Sequence, residues 1–338
     1  MNKQANITKE SIQRIYPLLP MQKGMLFHAL RDPEDTFYFE QVRYRLRGEF
    51  DVSLCELVWN RLLKRHELLR SVFVSQNVSQ PVQIVLKQRQ VDFQFLDLRS
   101  IPSAERMAYL EELLFQERQK GFDLSRDVLI RIRVYQCGDQ VYEMVWNFPH
   151  ILLDGWSGAI LQSEFITLYE AYVQNKDPEL SPPADYNLFL DWLEKRHFED
   201  DLVYWKDLLH DYDALASVPV WKQHGLRQGY EPGQYTFSIS EEQTQALNKL
   251  ANQLECTTNV ILQTLWGVIL ARYNQVEDVV FGTVVSGRPP EVSGIDRLVG
   301  LFINTLPLRI QLDGSGLFSD IARNVQTQFM ESQEHSCL

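Results

Sequence analysis

Residues 38–48, YFEQVRYRLRG, alternate apolar and polar positions, the pattern of a strand with one buried face. Apolar positions three and four apart in 52–69, VSLCELVWNRLLKRHELL, predict a helix capped by Asp51. A first helix is expected over 18–30, packed by Leu19, Met25, Leu26 and Leu30. A third spans SAERMAYLEELLFQERQKGF and ends near Gly121. LRSVFV and PVQIVL read as short strands. VLIRIRVYQ and QVYEMVWNF read as a hairpin around Cys137, Gly138 and Asp139. A helix is then expected from Trp156 to Val173.

The stretch 174–186, QNKDPELSPPADY, is proline-rich and polar and reads as a linker. Beyond it the pattern predicts helices at 187–210, 240–254, 257–273 and 316–331. Strands are expected at 234–239, 277–285 and 302–312. This order suggests two α/β (α+β) lobes, each a mixed sheet covered by helices, at 1–176 and 177–338. A cleft between such lobes is a natural substrate site.

Composition narrows the function. The chain has 338 residues and a net charge of −12. That balance offers no global basic field for nucleic acid or an anionic membrane surface. No window approaches the apolar length of a membrane span, and the N-terminus lacks an apolar signal core. The expected location is cytoplasmic. Cys55, Cys137, Cys256 and Cys337 are scattered with no CxxC pair, so no metal site is expected. Glycine-rich nucleotide-binding patterns are absent.

Candidate chemistry sits at 145–160, VWNFPHILLDGWSGAI. Strand alternation points His150 away from Pro149, and a proline marks a strand end or edge. Asp154 can cap the next helix, leaving the N–H groups of Gly155 and Trp156 to face an oxyanion. A histidine beside such a site suits acyl transfer. By itself the pattern fits equally a buried histidine and a capping aspartate without chemistry.

Five blocks in order carry a resemblance: YPLLPMQKGMLFH (16–28), RHELLRSVF (65–73), PHILLDGWS (149–157), YNLFLDWL (186–193) and SGRPPEVSGIDRLVGLFINTLPLR (286–309). The sequence resembles the condensation domains of non-ribosomal peptide synthetases. That resemblance implies two chloramphenicol-acetyltransferase-like lobes in a V. Donor and acceptor peptidyl carrier proteins would present phosphopantetheine arms to a central tunnel, beside an adjacent adenylation domain. No cofactor would be bound by the chain itself. The acceptor amine would attack the donor thioester and form a peptide bond, and the first block suggests the type joining two L-residues. His150 matches the histidine that orients or deprotonates the amine, and Gly155 the glycine near the thioester. Asp154 matches an aspartate paired with an arginine, here Arg288. Trp156, Ser157, Asn304 and Thr305 are candidates for the tunnel wall, with packing roles as the alternative.

Pro149 stands where the family's HHxxxDG motif has its first histidine, and it is expected to be structural. The chain also stops near where the sixth family block would begin, leaving a sheet edge open in the second lobe. Two rivals follow: an HxxxDG acyltransferase using soluble acyl-CoA, and an inert carrier-docking module. Arg65, His66, Glu67 and Arg70 read as a structural charged network, and His28 as a structural residue of the first helix. Tyr186 and Trp192 read as anchors of the helix after the linker. His197, His210, His224 and His335 are expected at the surface without partners.

Overall fold

A computed structural model describes residues 7–32, 36–196, 198–218, 235–312 and 316–336. It opens with β1 (Ile12–Pro17) and α1 (Pro20–Arg31), then β2 (Phe39–Arg47) and α2 (Val52–Arg65). The Asp51 side chain accepts the Leu54 N–H at 2.9 Å, the expected cap of α2. A 3-10 turn (Glu67–Arg70) leads into β3 (Ser71–Val74), β4 (Val82–Leu86) and β5 (Asp92–Asp97). Next come α3 (Ser103–Lys120), β6 (Arg131–Gly138), β7 (Val141–Pro149) and α4 (Gly155–Val173). After a stretch without helix or strand lie α5 (Tyr186–Glu194) and α6 (Phe198–Leu208), where one helix over 187–210 was expected. Then follow α7 (Glu241–Gln253), α8 (Thr258–Asn274), β8 (Asp278–Val285), β9 (Asn304–Gln311) and α9 (Phe318–Glu334).

Two compact units emerge: Met1–Lys195 with Arg288–Ile303, and Arg196–Gly287 with Asn304–Leu338. Residues 177–195, expected in the second lobe, group with the first unit. The cause is apolar: Tyr186 and Phe189 are buried with Tyr16, Leu68 and Phe302 in one cluster. Trp192 packs at the margin of that cluster.

In the first unit, a four-stranded sheet runs β2-β7-β6-β5, with a parallel β5–β6 pair and antiparallel pairs elsewhere. One face packs on α2 and α4 through Trp59, Trp146, Phe148, Leu161 and Phe165. The other meets α3 through Tyr135, Val145, Leu110 and Leu114. A second sheet runs β1-β4-β3 and is antiparallel. Neither β1 nor β5 was expected from the pattern. The buried face of α1 also differs from expectation: Gln22 joins Met25 and Leu26 inside, while Leu30 is exposed.

In the second unit the described strands form one antiparallel pair, β8–β9, so mixed pairing is seen only in the first. The helix α8 buries Val260, Leu270 and Ala271 with Val279, Leu308 and Ile310. Leu262, Leu265, Trp266 and Ile269 stay exposed on it. Residues 235–240 carry no strand, and position 234 lies outside the described residues. His335 is not an unpartnered surface residue: its Nδ1 lies 2.8 Å from Asp201 and its ring stacks on Tyr204. His210 is exposed and lies 2.9 Å from the neighbouring Asp211 carboxylate. His197, His224 and Cys337 lie outside the described residues.

Candidate active site

The strand β7 ends at Pro149, paired with Phe39 at the start of β2. Pro149 is buried, like every β7 residue from Tyr142 on, and His150, in the turn that follows, is half-buried. The chain then turns: Leu152 N–H donates to Pro149 O at 2.9 Å, and His150 N–H to Tyr38 O at 2.7 Å. Ile151, Leu152 and Leu153 are each 1% exposed and root the turn in the core of the first unit.

Asp154 caps α4, its Oδ1 accepting the Ser157 N–H at 2.8 Å. It does more than cap. Its Oδ1 lies 3.2 Å from Arg288 Nη2, and its Oδ2 accepts the Phe302 N–H at 3.0 Å. Its own N–H donates to Gly300 O at 3.1 Å. Arg288 also donates to the Ile295 and Leu298 carbonyls, with its guanidinium 4.2 Å over the Phe302 ring. Burial pushes the Arg288 guanidinium below its ordinary pKa, and the Asp154 carboxylate opposes that shift. The pair is inaccessible to solvent, so each charge depends on the other and on these hydrogen bonds.

Ser157, a candidate for a tunnel wall, is fully buried instead. Its hydroxyl donates to Gly300 O at 2.7 Å and accepts from Gly300 N–H and Arg288 Nη2, both at 3.0 Å. A different contact favours the glycine: a Cβ at Gly300 would come within 2.8 Å of Leu68 and 3.2 Å of Phe302. Trp156 is 54% exposed and held at its edge, where Nε1 donates to Asp296 O at 2.9 Å. Asn304 and Thr305 begin β9, in the second unit; Asn304 is half-buried and Thr305 exposed.

His150 stands apart from this network. Its Nδ1 is shut off from solvent and meets no hydrogen-bond partner among the described residues. Among the described residues no carboxylate bonds the imidazole to fix its tautomer. At the head of α4, the Gly155 and Trp156 N–H groups make no hydrogen bond among the described residues. A Cβ at Gly155 would meet nothing within 4 Å, so the chain's own packing does not demand glycine there. Among the described residues no group of three or more His, Cys, Asp or Glu could hold a metal ion.

Comparison with known proteins follows this geometry. The family model described as "Condensation domain" matches residues 12–337. The chain belongs to the condensation domain family. It is 40% identical over 327 residues to gramicidin S synthase 2 of Brevibacillus brevis, covering 97% of this chain and 7% of that protein. Bacitracin synthase 3 of Bacillus licheniformis is 42% identical over 328 residues, 97% of this chain and 5% of the relative. The chain thus spans a small part of each relative's length. Among solved structures, the first condensation domain of the calcium-dependent antibiotic synthetase superposes with a TM-score of 0.78 at 17% identity. That match covers 97% of this chain and 76% of the other, and it supports the fold.

Within this condensation domain, three features escaped the sequence reading. Gln22, 2% exposed, donates its amide N–H to Gln83 Oε1 at 3.0 Å and to Ile151 O at 3.3 Å, and accepts the Leu19 N–H at 3.0 Å. It ties α1 to the His150 turn. A polar residue at helical spacing from Met25 and Leu26 was the available signal. Glu164 on α4 binds Arg65 at 3.0 Å and His66 at 2.7 Å, while Arg65 also donates to Ser181 O. This places Arg65 and His66 in a charged network, and Glu67 in another with Tyr16 and Gln13. Arg70, buried, donates to the Leu86 and Lys64 carbonyls. His28 lines a cavity, and no spacing in the chain announced that.

Proposed function

We propose that the chain forms peptide bonds between carrier-bound substrates in non-ribosomal peptide synthesis. The acceptor's α-amine attacks the carbonyl carbon of the donor thioester. The C–N bond forms, the C–S bond breaks, the amine gives up a proton and the donor arm leaves as a thiol. Donor and acceptor carrier proteins and a neighbouring adenylation domain are the partners, and the substrates arrive on phosphopantetheine arms. No cofactor of the chain's own enters this reaction.

The observation that carries this reading is the division of labour in the turn. Asp154 is consumed by structure, whereas His150 keeps its ring outside every hydrogen bond among the described residues. A strong base is not required, because an α-amine has a pKa of about 7.7–8.0 and the thioester is already activated. His150 orients the amine and takes its proton as the C–N bond forms. The unbonded N–H groups of Gly155 and Trp156, at the positive end of α4, suit the developing oxyanion. The bare Gly155 backbone leaves room for the thioester to approach. Pro149 shapes the strand end and does no chemistry. No single helix among the described residues is long and apolar enough to cross a membrane.

A single-turnover assay with loaded donor and acceptor carriers tests this reading. The expected result is the joined product on the acceptor carrier. Transfer from soluble acyl-CoA alone, or carrier binding without transfer, would overturn it.

A further inference from the structure

Gln22 stands in the first turn of α1, where its Oε1 accepts the Leu19 N–H at 3.0 Å as one half of a capping box. That bond needs only the amide oxygen, and glutamines mostly stay at the surface. Gln22 is instead 2% exposed and spends its amide nitrogen on two further bonds, to Gln83 Oε1 at 3.0 Å and Ile151 O at 3.3 Å. Gln83, 1% exposed on β4, donates in turn to the Ser71 hydroxyl at 2.8 Å, where β3 begins. A buried amide is costly unless bonded, and an apolar side chain would avoid that cost. A fully bonded buried network instead fixes one arrangement of the elements it joins. Here it joins α1, β3 and β4 to the His150 turn.

The bond to Ile151 acts on the peptide units around His150. The unit between Pro149 and His150 is held at both ends: its N–H donates to Tyr38 O at 2.7 Å, and its carbonyl accepts the Leu152 N–H at 2.9 Å. That Leu152 N–H belongs to the unit between Ile151 and Leu152, whose carbonyl accepts from Gln22. Peptide planes on both sides of His150 are thereby fixed, and with them the direction in which its side chain leaves the backbone. The ring Nδ1 has no hydrogen-bond partner among the described residues, so the backbone and its packing aim the imidazole. Tyr38 and Leu152 hold the turn through backbone atoms alone. Gln22 holds it through a side chain, the part a substitution can remove.

We infer that Gln22 is a positioning residue for the transfer: through Ile151 O it holds the turn that points the His150 imidazole at the acceptor amine. Buried as it is, it touches neither substrate. The inference rests on the peptide-transfer reading above and adds to it a residue of α1 on which the rate depends. Productive geometry tolerates errors of about 0.5 Å, and a misplacement of about 1 Å can cost about 10²-fold in rate.

Gln22→Met keeps the length of the side chain and removes all three of its bonds. Glu164→Gln is the comparison, because it also weakens part-buried bonds of the first unit without touching the turn. Single-turnover transfer is followed against carrier concentration, with a denaturant melt of each sample. In Gln22→Met the rate at saturating carrier should fall about tenfold or more, while the half-saturating concentration stays within about twofold. Glu164→Gln should keep wild-type transfer wherever it is folded. A second readout needs no activity. With isotope-labelled histidine rings, the His150 magnetic-resonance signal is the one lost in His150→Gln. It should be single in the wild type and split or broaden in Gln22→Met, while the His66 signal stays in place. If Gln22→Met does not fold, Gln22→Asn, whose amide is one methylene short, is read in the same way. Four results would overturn the inference: undiminished transfer, a change in half-saturation alone, a fall that Glu164→Gln matches at equal loss of stability, or an unchanged His150 signal. A wild-type chain that transfers nothing would refute peptide transfer. The His150 signal would then decide alone, a split upholding the role of Gln22 and an unchanged signal overturning it.

Discussion

Asp154 and His150 lie on the same turn, yet the fold treats them in opposite ways. Both Asp154 oxygens are engaged, by Ser157 N–H, Phe302 N–H and Arg288, and its carboxylate is fully buried. His150 contributes its backbone N–H to Tyr38, while the residue is half-buried and its ring Nδ1 is buried without a hydrogen-bond partner among the described residues. A buried charge is tolerable only with partners, so Asp154 is committed before any substrate arrives. The buried, unpartnered Nδ1 is a cost to the fold, and it leaves the ring uncommitted to the network. The three apolar residues between them, Ile151, Leu152 and Leu153, are the anchors that make the two ends independent.

The comparison breaks most visibly at the ion pair. Asp154→Asn should leave the Arg288 charge buried and unpaired and cost about 3–5 kcal/mol. Arg288→Met should cost about as much by stranding the carboxylate. Urea melts of both would check this, and a wild-type midpoint for either would show that the pair is not structural. Loss of transfer in these variants should track loss of folded protein.

A smaller effect is expected at the far side of α4. Burial alone would raise the Glu164 pKa; the His66 hydrogen bond and Arg65 more than offset it, so the carboxyl lies below its ordinary range. A depressed carboxyl stabilises the fold above its unfolded pKa of about 4.3, and that contribution fades as pH falls through the folded value. Glu164→Gln should therefore cost about 1.5–3 kcal/mol at pH 7 and progressively less in acid. Denaturant midpoints measured from pH 7 down to pH 3 would show the two proteins converging; a constant gap would contradict it.

The smallest effect belongs to Pro149. It closes β7 where a strand donor is dispensable, so Pro149→His should change transfer by no more than about threefold, under 1 kcal/mol in barrier. A large gain on that substitution, read in the same single-turnover assay, would mean that the proline distorts the turn.

Periodicity revealed the longer elements. Strand β2, helix α2 and the β6–β7 hairpin each carry repeated apolar positions, and each lies where its pattern predicts. The strands β1 and β5 did not show: IQRIYP has no period-two alternation, and DFQFLD carries it only at Phe93 and Phe95. So short a stretch leaves little alternation to read. The break between α5 and α6 was missed although four polar residues, Glu194, Lys195, Arg196 and His197, interrupt the apolar spacing there. In the site, the Asp154 cap was legible locally, since a cap and its helix are neighbours in sequence. Its bond to Arg288, 134 residues away, came only from the resemblance, because no local rule names a distant partner. Ser157 and Gly300 carried no signal for the same reason: their contact depends on the first turn of α4 meeting the loop before β9.

The central claim is that chemistry and stability separate along this one turn, and His150→Gln in the single-turnover carrier assay tests it most directly, with a denaturant melt of the same sample. The account predicts a midpoint within about 1 kcal/mol of wild type, since the ring bonds to nothing described, and transfer lowered by about 10²-fold or more. Wild-type transfer by that variant, or a loss of transfer that merely follows a loss of folded protein, would contradict it.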